Sequence, residues 1–305
     1  MKYIPIAGGA LNASAVALGC MRIAELSEVA VAALIDSALE AGVNFFDHAD
    51  IYAGGRSEEI FAAAYGMTPA KREKIYIQSK CGIGQRCYDF SKRHILEAAE
   101  GSLKRLKTDY LDVLLLHRPD ALAEPEEVAE AFDVLLEKGQ ARHFGVSNHN
   151  PGQIELLSKY VRAPLVINQL QFSVKHTGMV DAGVNVNTGF DGALDRDGGV
   201  LDYCRLKGIT IQPWSPFQYG FFEGAFLGSG KFPELNGTIS RIAAEKGVSD
   251  IAVAVAWILR HPAKMQPIIG TTKPERVRLA AGAADVELSR RDWYDIYLAA
   301  GNTLP

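Results

Sequence analysis

Cysteine is scarce and unpatterned: Cys20, Cys81, Cys87 and Cys204 are the only four in 305 residues, and no two stand as Cys-x-x-Cys. That excludes a disulfide framework or a zinc ribbon as the organiser of the fold, and a reducing, cytoplasmic compartment is the expectation. Long apolar runs are missing too. The stretch after Lys2 is interrupted by Pro5, Gly8, Gly9, Asn12 and Ser14, whereas a signal peptide needs a continuous apolar segment; a β-hairpin is expected there instead. No later segment approaches the roughly 20 apolar residues of a membrane span. Basic charge is not in excess, since 32 Lys and Arg against 36 Asp and Glu leave a net charge of -4. A nucleic-acid platform or an anionic-membrane binder needs a basic face to displace counterions, so neither is expected and any anion site must be local. His-x-His is absent, which argues against a metal-dependent barrel hydrolase, and no metal is expected. Gly82 and Gly84 follow an apolar run, but the third glycine and the acidic partner of a dinucleotide fingerprint are lacking.

What is present is rhythm. With 48% apolar and 22% charged residues, the composition is that of a soluble globular protein. Short apolar or β-branched runs occur at 15–20, 43–47, 75–80, 110–117, 141–147, 165–171, 210–214 and 265–270. Amphipathic stretches lie between or after them at 28–41, 57–65, 91–106, 125–138, 151–159, 200–207, 250–260 and 289–300. Runs that are apolar almost throughout read as strands buried on both faces, which is how parallel strands sit under helices. Eight strand–helix units with no intervening linker predict an α/β fold, a (β/α)8 TIM barrel preceded by the hairpin, as one domain over residues 1–305. The Gly-, Asn- and Asp-rich stretch 173–199 reads as a long irregular excursion over the barrel mouth.

Polar chemistry sits where a barrel places its active site, at the C-terminal ends of strands. The second run ends in Asp47-His48-Ala49-Asp50-Ile51-Tyr52, the third in Ser79-Lys80, the fourth in Leu116-His117-Arg118. A lysine buried at a strand end needs a carboxylate partner, and Asp47 can supply it; alone, that pair could simply fix strand register. A tyrosine beside the lysine has its phenolate form favoured, which is expected to bring its pKa down from about 10 and make it a usable acid. A nearby histidine could hydrogen-bond and orient a carbonyl oxygen.

Asp47-x4-Tyr52, Lys80 and His117, in that order on successive strands, resemble the catalytic tetrad of the aldo-keto reductases. The likeness continues through Gly145-Val146-Ser147-Asn148, Asn168-Gln169, Pro213-Trp214-Ser215-Pro216 and Ile268-Ile269-Gly270. Asp195-Arg196-Asp197-Gly198-Gly199-Val200-Leu201 and Trp214-Ser215-Pro216-Phe217-Gln218-Tyr219-Gly220 are most similar to a bacterial YdhF-like branch. The resemblance implies an oxidoreductase in which NADPH reduces a small-molecule aldehyde or ketone, Tyr52 gives the proton, Asp47 and Lys80 tune Tyr52, and His117 orients the substrate. It also implies that Ser147, Asn148 and Gln169 bind the carboxamide, that Trp214 stacks on the nicotinamide, and that Ser215, Pro216, Phe217 and Gln218 run beside the pyrophosphate. Gly270, Thr272, Lys273 and Arg276 open a helix, and a helix N-terminus with two cations is a local anion site suited to the 2′-phosphate. A monomer or weak oligomer is expected. The alternative is a cofactor-binding regulatory or redox-sensing module with slow turnover.

Overall fold

The computed structural model describes residues 1–305. The chain opens on the expected antiparallel hairpin, β1 (Tyr3–Ile6) against β2 (Leu11–Ser14). Then come the parallel strands β3 (Ala17–Gly19), β4 (Phe45–Asp47), β5 (Tyr76–Cys81), β6 (Leu111–Leu116), β7 (Ala141–Ser147), β8 (Leu165–Gln171) and β9 (Thr210–Trp214). A small ribbon of β10 (Gln218–Tyr219) and β11 (Gly224–Ala225) precedes the last barrel strand, β12 (Ile268–Ile269). The eight barrel strands pair in the order β12-β3-β4-β5-β6-β7-β8-β9. Gln266 N–H donates to the Ile211 carbonyl at 3.0 Å, which nearly closes the ring into a (β/α)8 barrel. Every apolar run of the sequence overlaps one of these strands.

The helices are α1 (Glu28–Glu40), α2 (Arg56–Tyr65), α3 (Pro69–Arg72), α4 (Lys92–Leu106), α5 (Pro125–Glu137), α6 (Pro151–Tyr160), α7 (Gly178–Val184), α8 (Val200–Lys207), α9 (Pro233–Lys246), α10 (Asp250–Leu259), α11 (Pro274–Gly282) and α12 (Arg290–Ala299). Local chemistry sets their starts. Ser27, Ser91 and Ser249 accept the backbone N–H three residues on, and Asn150 with Gln153 and Ser289 with Asp292 form reciprocal capping boxes. Each such cap is worth about 1 kcal/mol. None of the helices is long and apolar enough to cross a membrane.

Strand periodicity builds the interior. Successive side chains alternate across a strand, so Phe45 and Asp47 share the inner face of β4, Gln78 and Lys80 that of β5, and Ile167 and Gln169 that of β8. Phe45, Val113, Leu115 and Ile167 pack with Ile6, Leu11 and Ala13 of the hairpin into one apolar cluster that plugs the barrel floor. Phe46, Ile77, Leu114, Phe144 and Ile211 point outward into the larger core under the helices. The polar members of the inner face are thereby left above an apolar floor, towards the strands' C-terminal ends.

The stretch 173–199 is not irregular throughout. It contains α7, and Ser173 and His176 form a bridge at its start. Its first part is tied internally and to the C-terminal helix: Thr177 Oγ1 donates to Asp181 Oδ2 at 2.8 Å, Tyr297 Oη donates to Asp181 Oδ1 at 2.7 Å, and Lys175 Nζ donates to the Ala300 carbonyl.

Candidate active site

Lys80, fully buried on β5, is the hub. Its ammonium lies 2.8 Å from Asp47 Oδ1 and 2.9 Å from Oδ2, donates to the His48 carbonyl at 2.7 Å, and reaches Tyr52 Oη at 3.1 Å. The strand register explains the convergence: β4 pairs β5 with Asp47 opposite Gln78, so Lys80 stands one inward step above the carboxylate's neighbour. Tyr52 follows β4 at the start of a tight turn in which Ala53, Gly54 and Gly55 all have left-handed φ, of 50°, 63° and 91°. Ala53 has no glycine freedom there, so the turn stores local strain next to the phenol.

Burial pushes the Tyr52 phenol above its ordinary pKa; Lys80 pulls it down, Asp47 again up, and the net direction is up. The downward shift expected from Lys80 alone is therefore corrected: desolvation of the phenolate outweighs the neighbouring charge in the free protein. Burial likewise opposes the charge on Lys80, but Asp47 and Tyr52 more than offset it and its pKa is raised. The ammonium is present at any working pH.

His117 follows β6 with its ring edge-on to Tyr52, centroids 6.0 Å apart. Burial, then Lys80 and Arg118, hold its pKa down at about 2. It is a neutral imidazole, able to donate one N–H to a carbonyl oxygen, and its Nδ1 has no protein partner. Burial also lowers His48 to about 3 and His149 to about 4. An unfolded histidine protonates near about 6.5, so below that pH the unfolded chain binds more protons than the folded one. The stability from neutral burial is full above the unfolded value and is lost as pH falls towards the folded ones. Urea melts from about pH 7.5 to about pH 4.5 are expected to show a steadily falling midpoint; a constant midpoint would contradict these environments.

The ends of β7, β8 and β9 form a second set, bonded to the first. Ser147 Oγ donates to the Gln169 carbonyl at 3.0 Å, Asn148 Nδ2 donates to Ser147 Oγ at 2.7 Å, and Trp214 Nε1 donates to Asn148 Oδ1 at 3.0 Å. Asn148 and Ser215 both adopt left-handed φ, 61° and 52°, to turn the chain at these strand ends. Gln169 Nε2 donates inward to Asp47 Oδ1 at 3.0 Å, which ties the two sets together. Beyond Trp214, Pro216 is buried, Phe217 packs on the core, and Ser215 Oγ donates to Gln218 Oε1 at 3.3 Å.

A third set stands apart. Gly270, Thr272, Lys273 and Arg276 follow β12 and open α11, with Lys273 as the N-cap; both cations are exposed and neither is in an ion pair. No hydrogen bond links this set to Lys80 or Trp214. Three further side chains border these sets, and the sequence reading gave none of them a role. Arg22 places a guanidinium nitrogen 3.7 Å from where a Cβ on Gly270 would lie. Arg118 Cζ lies 5.7 Å from the Trp214 ring centroid, and Phe222 stacks on that ring at 5.8 Å and 22°. Phe222 and its neighbour Phe221 are large exposed apolar residues, a signal visible in the Gly220-Phe221-Phe222 sequence.

A family model described as the aldo/keto reductase family matches residues 15–297. The chain is 36% identical over 304 residues to a 6-dehydroglucose reductase of Agrobacterium fabrum, covering 95% of both chains. It is 36% identical over 275 residues to the oxidoreductase YdhF of Escherichia coli, covering 87% of this chain and 86% of that one. The fold is similar to that of a Klebsiella pneumoniae aldo-keto reductase solved in complex with NADPH, with a TM-score of 0.80 at 23% identity and coverage of 99% and 96%.

Proposed function

The chain belongs to the aldo/keto reductase family, and we propose that it reduces the carbonyl of an aldehyde or ketone with NADPH, Tyr52 protonating the oxygen. One observation carries this reading: a buried ammonium, Lys80, held at once by Asp47 and by Tyr52 Oη, with neutral His117 edge-on to the phenol. The phenol is the one proton-bearing acid in that group able to reach a substrate oxygen. As negative charge develops on that oxygen, the Lys80 charge stabilises the forming phenolate, and the His117 N–H holds the oxygen in place.

The residues present fit a nicotinamide dinucleotide. The Ser147, Asn148 and Gln169 side chains match a carboxamide's donors and acceptors, the Trp214 plane suits a planar ring, and Arg22, Lys273 and Arg276 gather free positive charge at the α11 N-terminus. When bound, NADPH supplies the hydride. Arg276→Ala is expected to raise the Kd for NADPH by about tenfold and to leave that for NADH nearly unchanged, read by fluorescence titration; equal losses for both would remove the 2′-phosphate from the account.

The substrate class is supported by the similarity to a 6-dehydroglucose reductase, which places hydroxylated aldehydes first in a panel with aromatic aldehydes and dicarbonyls. The test is that panel assayed with NADPH and NADH in parallel. Carbonyl-dependent oxidation of NADPH supports the reading, and none across the panel, with the cofactor bound, contradicts it.

A further inference from the structure

We propose that Gln212, with Gln78 and Gln266, is a positioning residue for the reduction, part of a one-way chain of side-chain amides that runs from the barrel floor to Asp47. The proposal rests on the reading of Asp47, Lys80 and Tyr52 given above.

The chain starts at a group with no choice of role. The Ser14 carbonyl can only accept, and Gln266 Nε2 donates to it at 2.7 Å. Gln266 therefore turns its oxygen the other way, where Gln212 Nε2 donates to it at 2.8 Å. Gln212 in turn presents Oε1, which accepts from Gln78 Nε2 at 2.8 Å and from Gln169 Nε2 at 3.1 Å. Each of those two amides has one N–H left, and both are aimed at Asp47 Oδ1, at 2.6 and 3.0 Å. All four glutamines are buried, with Gln78, Gln212 and Gln266 at 0% exposure. Reversing any one of them sets oxygen against oxygen or N–H against N–H, at about 1–3 kcal/mol for each buried group left unsatisfied. A backbone carbonyl on the floor thus dictates which atoms face the carboxylate, several residues away.

One irregularity supports this. Gln78 Oε1 is buried and has no partner. An amide free to choose would satisfy that oxygen; here both N–H groups are held by Asp47 and Gln212.

Two consequences reach the chemistry. Asp47 shares its charge between two neutral amides and Lys80, so more of the ammonium's field is left to act on Tyr52 Oη, 3.1 Å away. Gln169, with both N–H groups engaged inside the barrel, has only Oε1 to offer a carboxamide. The groups facing Tyr52 and Lys80 are Asp47 of β4, Cys20 after β3, His117 after β6 and Asp50 after β4, which burial and then Glu58 push up to about 7, with Glu58 of α2 bound to Ser79 and Arg105 farther out. The amide chain bonds Asp47 alone among them, and through it acts on Lys80.

Gln212→Met keeps the volume and cuts the chain in the middle. It is expected to lower kcat about tenfold, to leave KM for the carbonyl within about twofold, and to move the alkaline limb of the pH–kcat profile upward, because Asp47 then draws harder on Lys80. Gln266→Met touches neither Asp47 nor any cofactor residue, and should move the limb in the same direction by less. Leu115→Val, in the apolar floor cluster, is the packing control: it lowers the Tm and leaves the profile in place. If both glutamine variants fold and keep the wild-type profile and kcat, the proposal is overturned. If Tyr52→Phe turns over normally, the acid assignment has failed; if that variant is inactive while the glutamine profiles are unmoved, the amide chain alone has failed.

Discussion

Tyr52→Phe is expected to lower kcat for carbonyl reduction by about 10²–10⁴-fold, the span that a positioned general acid supplies, with little change in NADPH affinity. The phenol is the group held at 3.1 Å by the Lys80 ammonium and set edge-on to a neutral imidazole. Removing one oxygen leaves the ring packing, the Asp47–Lys80 pair and the Trp214 set in place, so stability should move by about 1 kcal/mol or less. Neither His117 nor Cys20 replaces it: burial holds the imidazole neutral, and the Cys20 thiol donates back to the Leu18 carbonyl at 3.7 Å. Single-turnover NADPH oxidation, with the Kd for NADPH measured alongside, checks this, and a variant that keeps wild-type turnover refutes the assignment.

Lys80→Met has the larger structural effect. Asp47 is nearly fully buried, and without the ammonium it keeps only the Gln78 and Gln169 N–H groups as protein donors. Breaking a buried pair from one side costs about 3–5 kcal/mol, because the remaining charge has no counter-charge. Activity should fall at least as far as in Tyr52→Phe, since the phenolate loses its stabilising charge as well. The double variant Asp47→Asn with Lys80→Met separates the two effects. It removes both charges, so most of the stability is expected to return while activity stays lost. Urea unfolding read beside turnover decides the matter; wild-type stability in the single variant would mean that the pair is not buried as described.

The strand ends were legible because apolar runs stop abruptly at polar residues, and Asp47, Lys80, His117, Ser147, Gln169 and Trp214 all stand at such stops. Their order along the chain then carried the likeness to the family. The glutamines of the interior were not legible. Gln78, Gln212 and Gln266 lie within runs whose inward and outward faces cannot be told apart until the register with neighbouring strands is set, and the runs themselves are apolar on both sides. The sign of the net shift on Tyr52 was out of reach for a related reason: sequence names the neighbouring charge but not the depth of burial that opposes it. The helix α9 escaped because Pro233, Asn236, Gly237 and Thr238 weaken the helical signal, although Leu235, Ile239, Ile242 and Ala243 supply a buried face at helical spacing. In 173–199, Gly, Asn and Asp read as turn formers, and the bond from Tyr297 to Asp181 that orders the segment comes from more than a hundred residues away.

The most direct test of the central claim is the pH dependence of single-turnover aldehyde reduction by NADPH, wild type against Tyr52→Phe. With Tyr52 as the acid, the wild-type rate should fall on the alkaline side, and the variant's residual rate should lack that fall. The same alkaline limb in the variant, or no alkaline limb in the wild type, would contradict that assignment.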